Sequence, residues 1–101
     1  MANFVRAAAA ADVAPGTGTC VTVDGKEIAL FNIDGTFHAV DNACLHRGGP
    51  LAEGDLDGCI VTCPWHGWQY DVTTGVNVMD EAERVPRYDV KVEGGAVLIF
   101  V

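Results

Sequence analysis

The sequence predicts an all-β protein of short antiparallel strands, and three observations carry that expectation. Brief runs of β-branched and apolar residues recur between glycine-containing turns. Asp24-Gly25, Asp34-Gly35 and Gly94-Gly95 are dipeptides that supply the positive φ angles of tight hairpin turns. No window of about 11 to 18 residues keeps a 3.6-residue apolar period, so helix is expected to be minor at most.

Taken in chain order, the alanines from Ala7 to Ala11 could form a turn of helix, which Pro15 and Gly16 would stop. Strands are expected over 20–23, 28–33 and 37–40, separated by the first two turn dipeptides. The stretch that follows is rich in Gly and Pro and reads as loop, with room for a one-turn helix over 50–53. Strands over 59–62 and 68–72 flank a second Gly/Pro-containing loop, and strands over 88–92 and 96–101 close the chain around Gly94-Gly95. There is no internal repeat, no linker and no low-complexity segment beyond the alanines.

Length and composition bound what such a chain can be. With 101 residues it is expected to form one domain, 1–101, since two separate cores would need more chain. A domain of that size buries only roughly 60–65% of the surface its unfolded chain exposes, so a bound metal group would add a useful constraint. Six Lys and Arg against fourteen Asp and Glu leave a net charge of −8, which argues against a nucleic-acid backbone or an anionic bilayer as partner. A basic protein surface suits it better, although the charge can equally serve solubility alone. No run approaches the roughly 18 to 20 apolar residues that span a bilayer, and Arg6 with a short alanine run does not resemble a signal peptide. The expected location is therefore the cytoplasm, where Cys20 and Cys59 would stay free thiols.

The most informative feature is a pair of short motifs, Cys44-Leu45-His46 and Cys63-Pro64-Trp65-His66, separated by sixteen residues. Either motif alone is weak evidence. Together they use two of four cysteines and two of three histidines, and each is followed by a glycine, Gly48 or Gly67, within two residues. Two thiolates and two imidazoles offered from two loops can hold an iron–sulfur cluster in which histidines replace two of the usual four cysteines.

On these residues the chain resembles the Rieske family, whose pattern is Cys-x-His, then roughly fifteen to twenty residues, then Cys-x-x-His. The resemblance extends through Cys44-Leu45-His46-Arg47-Gly48-Gly49-Pro50-Leu51 and Cys63-Pro64-Trp65-His66-Gly67-Trp68-Gln69-Tyr70-Asp71. It implies a Rieske-type antiparallel β-sandwich with a small cluster-binding subdomain of two loops, about residues 43–71, and one [2Fe-2S] cluster per chain. Cys44 and Cys63 would bind one iron, and His46 and His66 the other through Nδ1.

Charge counting shows what the histidines change. Two ferric ions, two sulfides, two thiolates and two neutral imidazoles sum to a neutral centre, whereas four thiolates would leave a dianion. Adding an electron to the neutral centre costs less, which raises the potential into a range of about −150 to +300 mV. High-potential relatives carry two further cysteines that link the loops and a serine after the His-Gly. Here Gly49 and Trp65 stand at the cysteine positions and Trp68 at the serine position, leaving Tyr70 as a candidate hydrogen-bond partner for the Cys63 sulfur. Fewer hydrogen bonds to sulfur stabilise the reduced state less, so a potential at the low end of the range is expected.

The remaining chemistry-bearing residues have plainer readings. His38 reads as an ordinary partly buried histidine on a strand. Cys20 and Cys59 read as small packed hydrophobes. Trp65 is expected to be exposed and Trp68 to face the core, while Glu53, Asp55, Asp57, Asp80, Glu81 and Glu83 are either solvated faces or steering charges.

The resemblance implies a stand-alone ferredoxin rather than an enzyme. The oxygenases of the family need a second, mononuclear iron with two histidines and a carboxylate, and beyond His46 and His66 this chain has only His38. The expected function is an electron-transfer component of a ring-hydroxylating oxygenase system, a monomer without catalytic residues that connects a flavin-containing reductase to a terminal oxygenase. Two alternatives remain. One is the small subunit of an assimilatory nitrite reductase. The other is a zinc-stabilised binding module, disfavoured because a ββα finger places two cysteines before two histidines rather than alternating them.

Overall fold

The structure, a computed structural model, describes residues 3–44, 48–65 and 67–100. Ten strands fall in order: β1 Phe4–Ala9, β2 Thr17–Val23, β3 Lys26–Ile33, β4 Thr36–Asp41, β5 Asp55–Asp57, β6 Ile60–Thr62, β7 Gln69–Asp71, β8 Arg87–Tyr88, β9 Val90–Glu93 and β10 Ala96–Phe100. Three-residue 3-10 turns at Ala10–Asp12 and Leu51–Glu53 are the helical elements among the described residues.

The three turn dipeptides act as the sequence predicts. Val23 pairs with Lys26, Ile33 with Thr36 and Glu93 with Ala96, so each dipeptide is a two-residue hairpin loop. Both central residues have positive φ in all three, at 50° and 79°, 51° and 90°, and 57° and 80°. That is the condition for the primed turn whose twist matches its flanking strands.

The strands form three antiparallel sheets, with orders β1-β10-β9, β2-β3-β4-β8 and β5-β6-β7. β3 runs between two cores. Ile28 and Leu30 join Ala39, Val97 and Ile99 on one side, while Ala29 and Phe31 join Val40, Leu51, Val61 and Tyr70 on the other. Its apolar run Ile28-Ala29-Leu30-Phe31 is continuous rather than alternating because both faces of this strand are covered. The first core binds the sheets as a sandwich, and the second seats the loop-bearing segment.

Several expected boundaries need correction. Ala7 to Ala9 belong to β1, paired with β10, and the helical turn is confined to Ala10–Asp12. Alanine's helix propensity yields to the ladder that β10 offers. The single strand expected over 88–92 is broken at Asp89 into β8, which joins β4, and β9, which joins β10. β5 was not expected: its Asp-Leu-Asp sequence has one apolar residue and is held by pairing with β6. The one-turn helix for which the sequence leaves room over 50–53 is present as the 3-10 turn Leu51–Glu53.

Candidate metal centre

The two cysteine loops are built on one plan. In the first, Ala43 bridges Pro50, Cys44 N–H donates to the Gly49 carbonyl at 2.9 Å, and Gly48 N–H donates back to the Cys44 carbonyl at 2.7 Å. In the second, Thr62 pairs with Gln69, Cys63 N–H donates to the Trp68 carbonyl at 2.7 Å, and Gly67 N–H donates back to the Cys63 carbonyl at 3.1 Å. Each cysteine therefore opens a loop of the same length, closed by the same pair of bonds, with a glycine at the fifth position. Gly48 and Gly67 have φ of 72° and 76°, the left-handed conformation that ends such a turn and that other residues adopt at a cost.

Both cysteines are buried, at 3% exposure for Cys44 and 2% for Cys63, and neither is in a disulfide. Below them lies the second core, in which Leu51 and Tyr70 are fully buried. Asn42 ties the first loop to the Leu51–Glu53 turn: its carbonyl accepts from Leu51 N–H at 2.8 Å and its side-chain Oδ1 from Ala52 N–H at 2.9 Å. β6 and β7 carry the second loop as a hairpin. Two loops on rigid supports can present two sulfurs without further folding.

Cys44 and Cys63 open the two loops as buried thiols, while His46 and His66 lie outside the described residues. Among the described residues no group of three or more His, Cys, Asp or Glu gathers around one point. The donors that are described fit an iron–sulfur group: two buried thiols, free of disulfide, at equivalent positions of paired loops.

One expected contact is found at a different sulfur. The Tyr70 hydroxyl, assigned from the sequence to Cys63, lies 3.4 Å from the Cys44 Sγ. Tyr70 sits on β7 opposite Val61, and its ring reaches through the core toward the other loop. Sequence adjacency pointed to the nearer motif; the sheet decides where the ring ends. A Tyr70→Phe variant is expected to lower the midpoint potential by on the order of tens of millivolts, a tenfold change in a one-electron equilibrium being about 59 mV. Potentiometric titration of both proteins, with unchanged visible absorbance as the control, checks this.

The other singled-out residues mostly take the expected places. Trp65 is 56% exposed and Trp68 is half-buried against the core. Cys59 packs on that core, but Cys20 is exposed on β2 rather than packed; the slight desolvation that its strand neighbours still impose, with the charges of Glu27 and Glu53, pushes its thiol pKa up. His38 is half-buried on β4 opposite Phe31. Partial burial, with the Arg87 charge, holds its pKa below the usual imidazole value against an opposing pull from Asp71. It is a partly buried histidine on a strand, as expected.

Beyond β7 the chain runs back beside the second loop. Asn77 bridges Tyr70 and Val78 N–H donates to the Gln69 carbonyl at 3.0 Å, which brings Met79 next to Trp68. Trp68, Asn77, Met79 and Asp80 line a notch of about 230 Å³. Met79 is 79% exposed and Val78 45%. Sequence reading missed this lip, since an isolated Val-Met pair in a loop carries no periodic signal.

The comparisons with known proteins agree with this architecture. The family model for the Rieske [2Fe-2S] domain matches residues 3–89. The ferredoxin component of the naphthalene 1,2-dioxygenase system of Pseudomonas putida is 35% identical over 98 residues, covering 96% of this chain and 94% of that protein. Among solved structures, the ferredoxin of carbazole 1,9a-dioxygenase from Nocardioides aromaticivorans superposes with a TM-score of 0.90 at 30% identity, covering 96% of each chain. A putative NADH-dependent nitrite reductase small subunit from Mycobacterium tuberculosis superposes with a TM-score of 0.91 at 27% identity, covering 100% of this chain and 96% of that one.

Proposed function

The chain belongs to the Rieske [2Fe-2S] domain family, and from that premise we propose that it is a one-electron carrier between a flavin-containing reductase and the terminal component of a ring-hydroxylating oxygenase. The observation that carries the reading is the pair of equivalent loops, each opening on a buried cysteine. Domains of this family bind a [2Fe-2S] cluster, and here Cys44 and Cys63 would hold one iron while His46 and His66 hold the other. What the bound group supplies is reversible one-electron redox chemistry.

The protein's own residues do the rest. The twin backbone bonds around each cysteine hold the thiols in place, and the Tyr70 hydroxyl, 3.4 Å from the Cys44 sulfur, would donate to it as a ligating thiolate and so favour the more negative charge state. Trp65, Val78 and Met79 put apolar surface beside the second loop, and Asp80 and Glu81 are exposed next to it. A partner with a basic rim would be steered there, and a modest interface lets a carrier release quickly. We read the chain as one cytoplasmic, monomeric unit, 1–101, with its cluster-bearing part at about 43–71. No helix among the described residues is long and apolar enough to cross a membrane.

Reconstitution with a reductase and an oxygenase tests the proposal. Cluster-loaded protein is expected to support substrate oxidation, and the concentration needed for half-maximal rate is expected to rise several-fold between about 0.01 M and 1 M ionic strength, as the Debye length shrinks from about 30 Å to about 3 Å. Salt-independent turnover would remove the steering role of the acidic residues. Purified protein without iron and acid-labile sulfide would overturn the cluster assignment itself, and stoichiometric zinc would replace it by the zinc-bound alternative.

A second reading, the small subunit of a nitrite reductase, is motivated by the fold match at a TM-score of 0.91. The oxygenase reading is preferred because the naphthalene dioxygenase ferredoxin is closer in sequence, at 35% identity. Isolation of the native partner separates the two: a sirohaem enzyme in place of an oxygenase would favour the second.

A further inference from the structure

Gly48 and Gly49 are neighbours with opposite reasons for being glycine. A methyl group built on Gly48 would meet nothing within 4 Å, so that residue is needed for its φ of 72°. Gly49 is buried, and a methyl group on it would lie 2.7 Å from the Cys63 Sγ, 3.1 Å from the Trp65 Cγ and 3.2 Å from the Trp65 Cδ2. The bare Cα of the first loop is therefore seated directly against both the sulfur and the indole of the second.

Trp65 is 56% exposed, yet the inner edge of its ring is in this contact. An aromatic ring that keeps an outer face in water while pressing its inner edge on a glycine forms an apolar joint between two chain segments. Trp65 also occupies, in the second loop, the third position that His46 occupies in the first, so the paired loops differ at the place where this ring is inserted.

We propose that Trp65 and Gly49 are positioning residues, a loop-to-loop lock in which the indole covers Gly49 and screens the Cys63 sulfur from water. The inference rests on the reading of Cys63 as a cluster ligand and says nothing about the electron's destination. Its consequence is electrostatic. Water admitted beside the sulfur would stabilise the more negative reduced state and raise the potential. It would also give chelators and oxygen a route to the site.

The experiment compares wild type, Trp65→Ala, Trp65→Phe and Gly49→Ala as cluster-loaded proteins. Trp65→Ala is expected to lose visible absorbance several-fold faster in air with a chelator and to show a more positive midpoint potential, and Trp65→Phe is expected to recover most of both. Gly49→Ala, if it folds, should resemble Trp65→Ala, since its methyl group must displace the ring or the sulfur. An unchanged decay rate and potential in Trp65→Ala would overturn the proposal, as would a Trp65→Phe variant no better than Trp65→Ala. A Gly49→Ala protein that fails to fold leaves the Trp65 pair to decide. A wild type without iron would defeat the cluster reading separately. The lock would then be judged by the rate at which iodoacetamide labels Cys63, located by peptide mass, which must rise several-fold in Trp65→Ala or the lock is wrong.

Discussion

Replacing Cys63 with alanine is expected to remove all visible absorbance and bound iron from the purified protein, while Cys20→Ala and Cys59→Ala leave both unchanged. The backbone bonds that close the second loop run from the Cys63 N–H and to its carbonyl, so alanine keeps the loop and removes only the sulfur. The proposed four-residue donor set, deprived of one thiolate, would lose a bond that no described neighbour replaces, because no third His, Cys, Asp or Glu gathers there among the described residues. His66→Ala is expected to behave likewise. Cys20 is exposed on β2, and Cys59 packs on the core in the turn between β5 and β6, so both can shed their sulfur without touching the loops. Iron and sulfide analysis with a visible spectrum checks all four. Loss of colour in Cys59→Ala with native circular dichroism would show the ligand assignment to be wrong.

Leu51→Ala is expected to cost about 2–5 kcal/mol of stability, the range for emptying a fully buried leucine site. Leu51 has no exposed surface and lies in one core with Cys44, Cys63, Val61 and Tyr70. It opens the 3-10 turn that packs on β2 and β3, so the cavity would sit between the central sheet and the floor of both loops. Against a typical total of about 5–15 kcal/mol, that loss is a large fraction. The midpoint of thermal unfolding is expected to fall by roughly 8–40 °C at about 4–8 °C per kcal/mol for a domain of this size. A control at Val92, 48% exposed, should change stability by less than about 0.5 kcal/mol. Equal effects at the two positions would refute the assignment of Leu51 to the supporting core.

How far the sequence could be read depended on whether the signal was local. The three turn dipeptides specify their own backbone geometry, so the hairpins they close were legible from two residues each. The Cys/His motifs were legible because chemistry demands the same two residue types twice. β1 and β5 were not, since an alanine-rich run and an Asp-Leu-Asp segment become strands only when β10 and β6 lie beside them. In the sequence Gly49 stands out only as a glycine at a position where high-potential relatives carry cysteine. Its contact with Cys63 and Trp65 joins residues fourteen and sixteen positions away, which no local pattern records.

By itself, then, the sequence determined the all-β class, the hairpin registers and the identity of the residues proposed to hold the cluster, because turn chemistry and donor chemistry are properties of a few adjacent side chains. Only the tertiary structure decided that Tyr70 reaches the Cys44 sulfur on the other loop, that β3 is covered on both faces, and that Trp65 rests on Gly49. Those outcomes depend on how sheets stack and which side chains meet across them. Packing between distant segments is settled by the shape of the whole core.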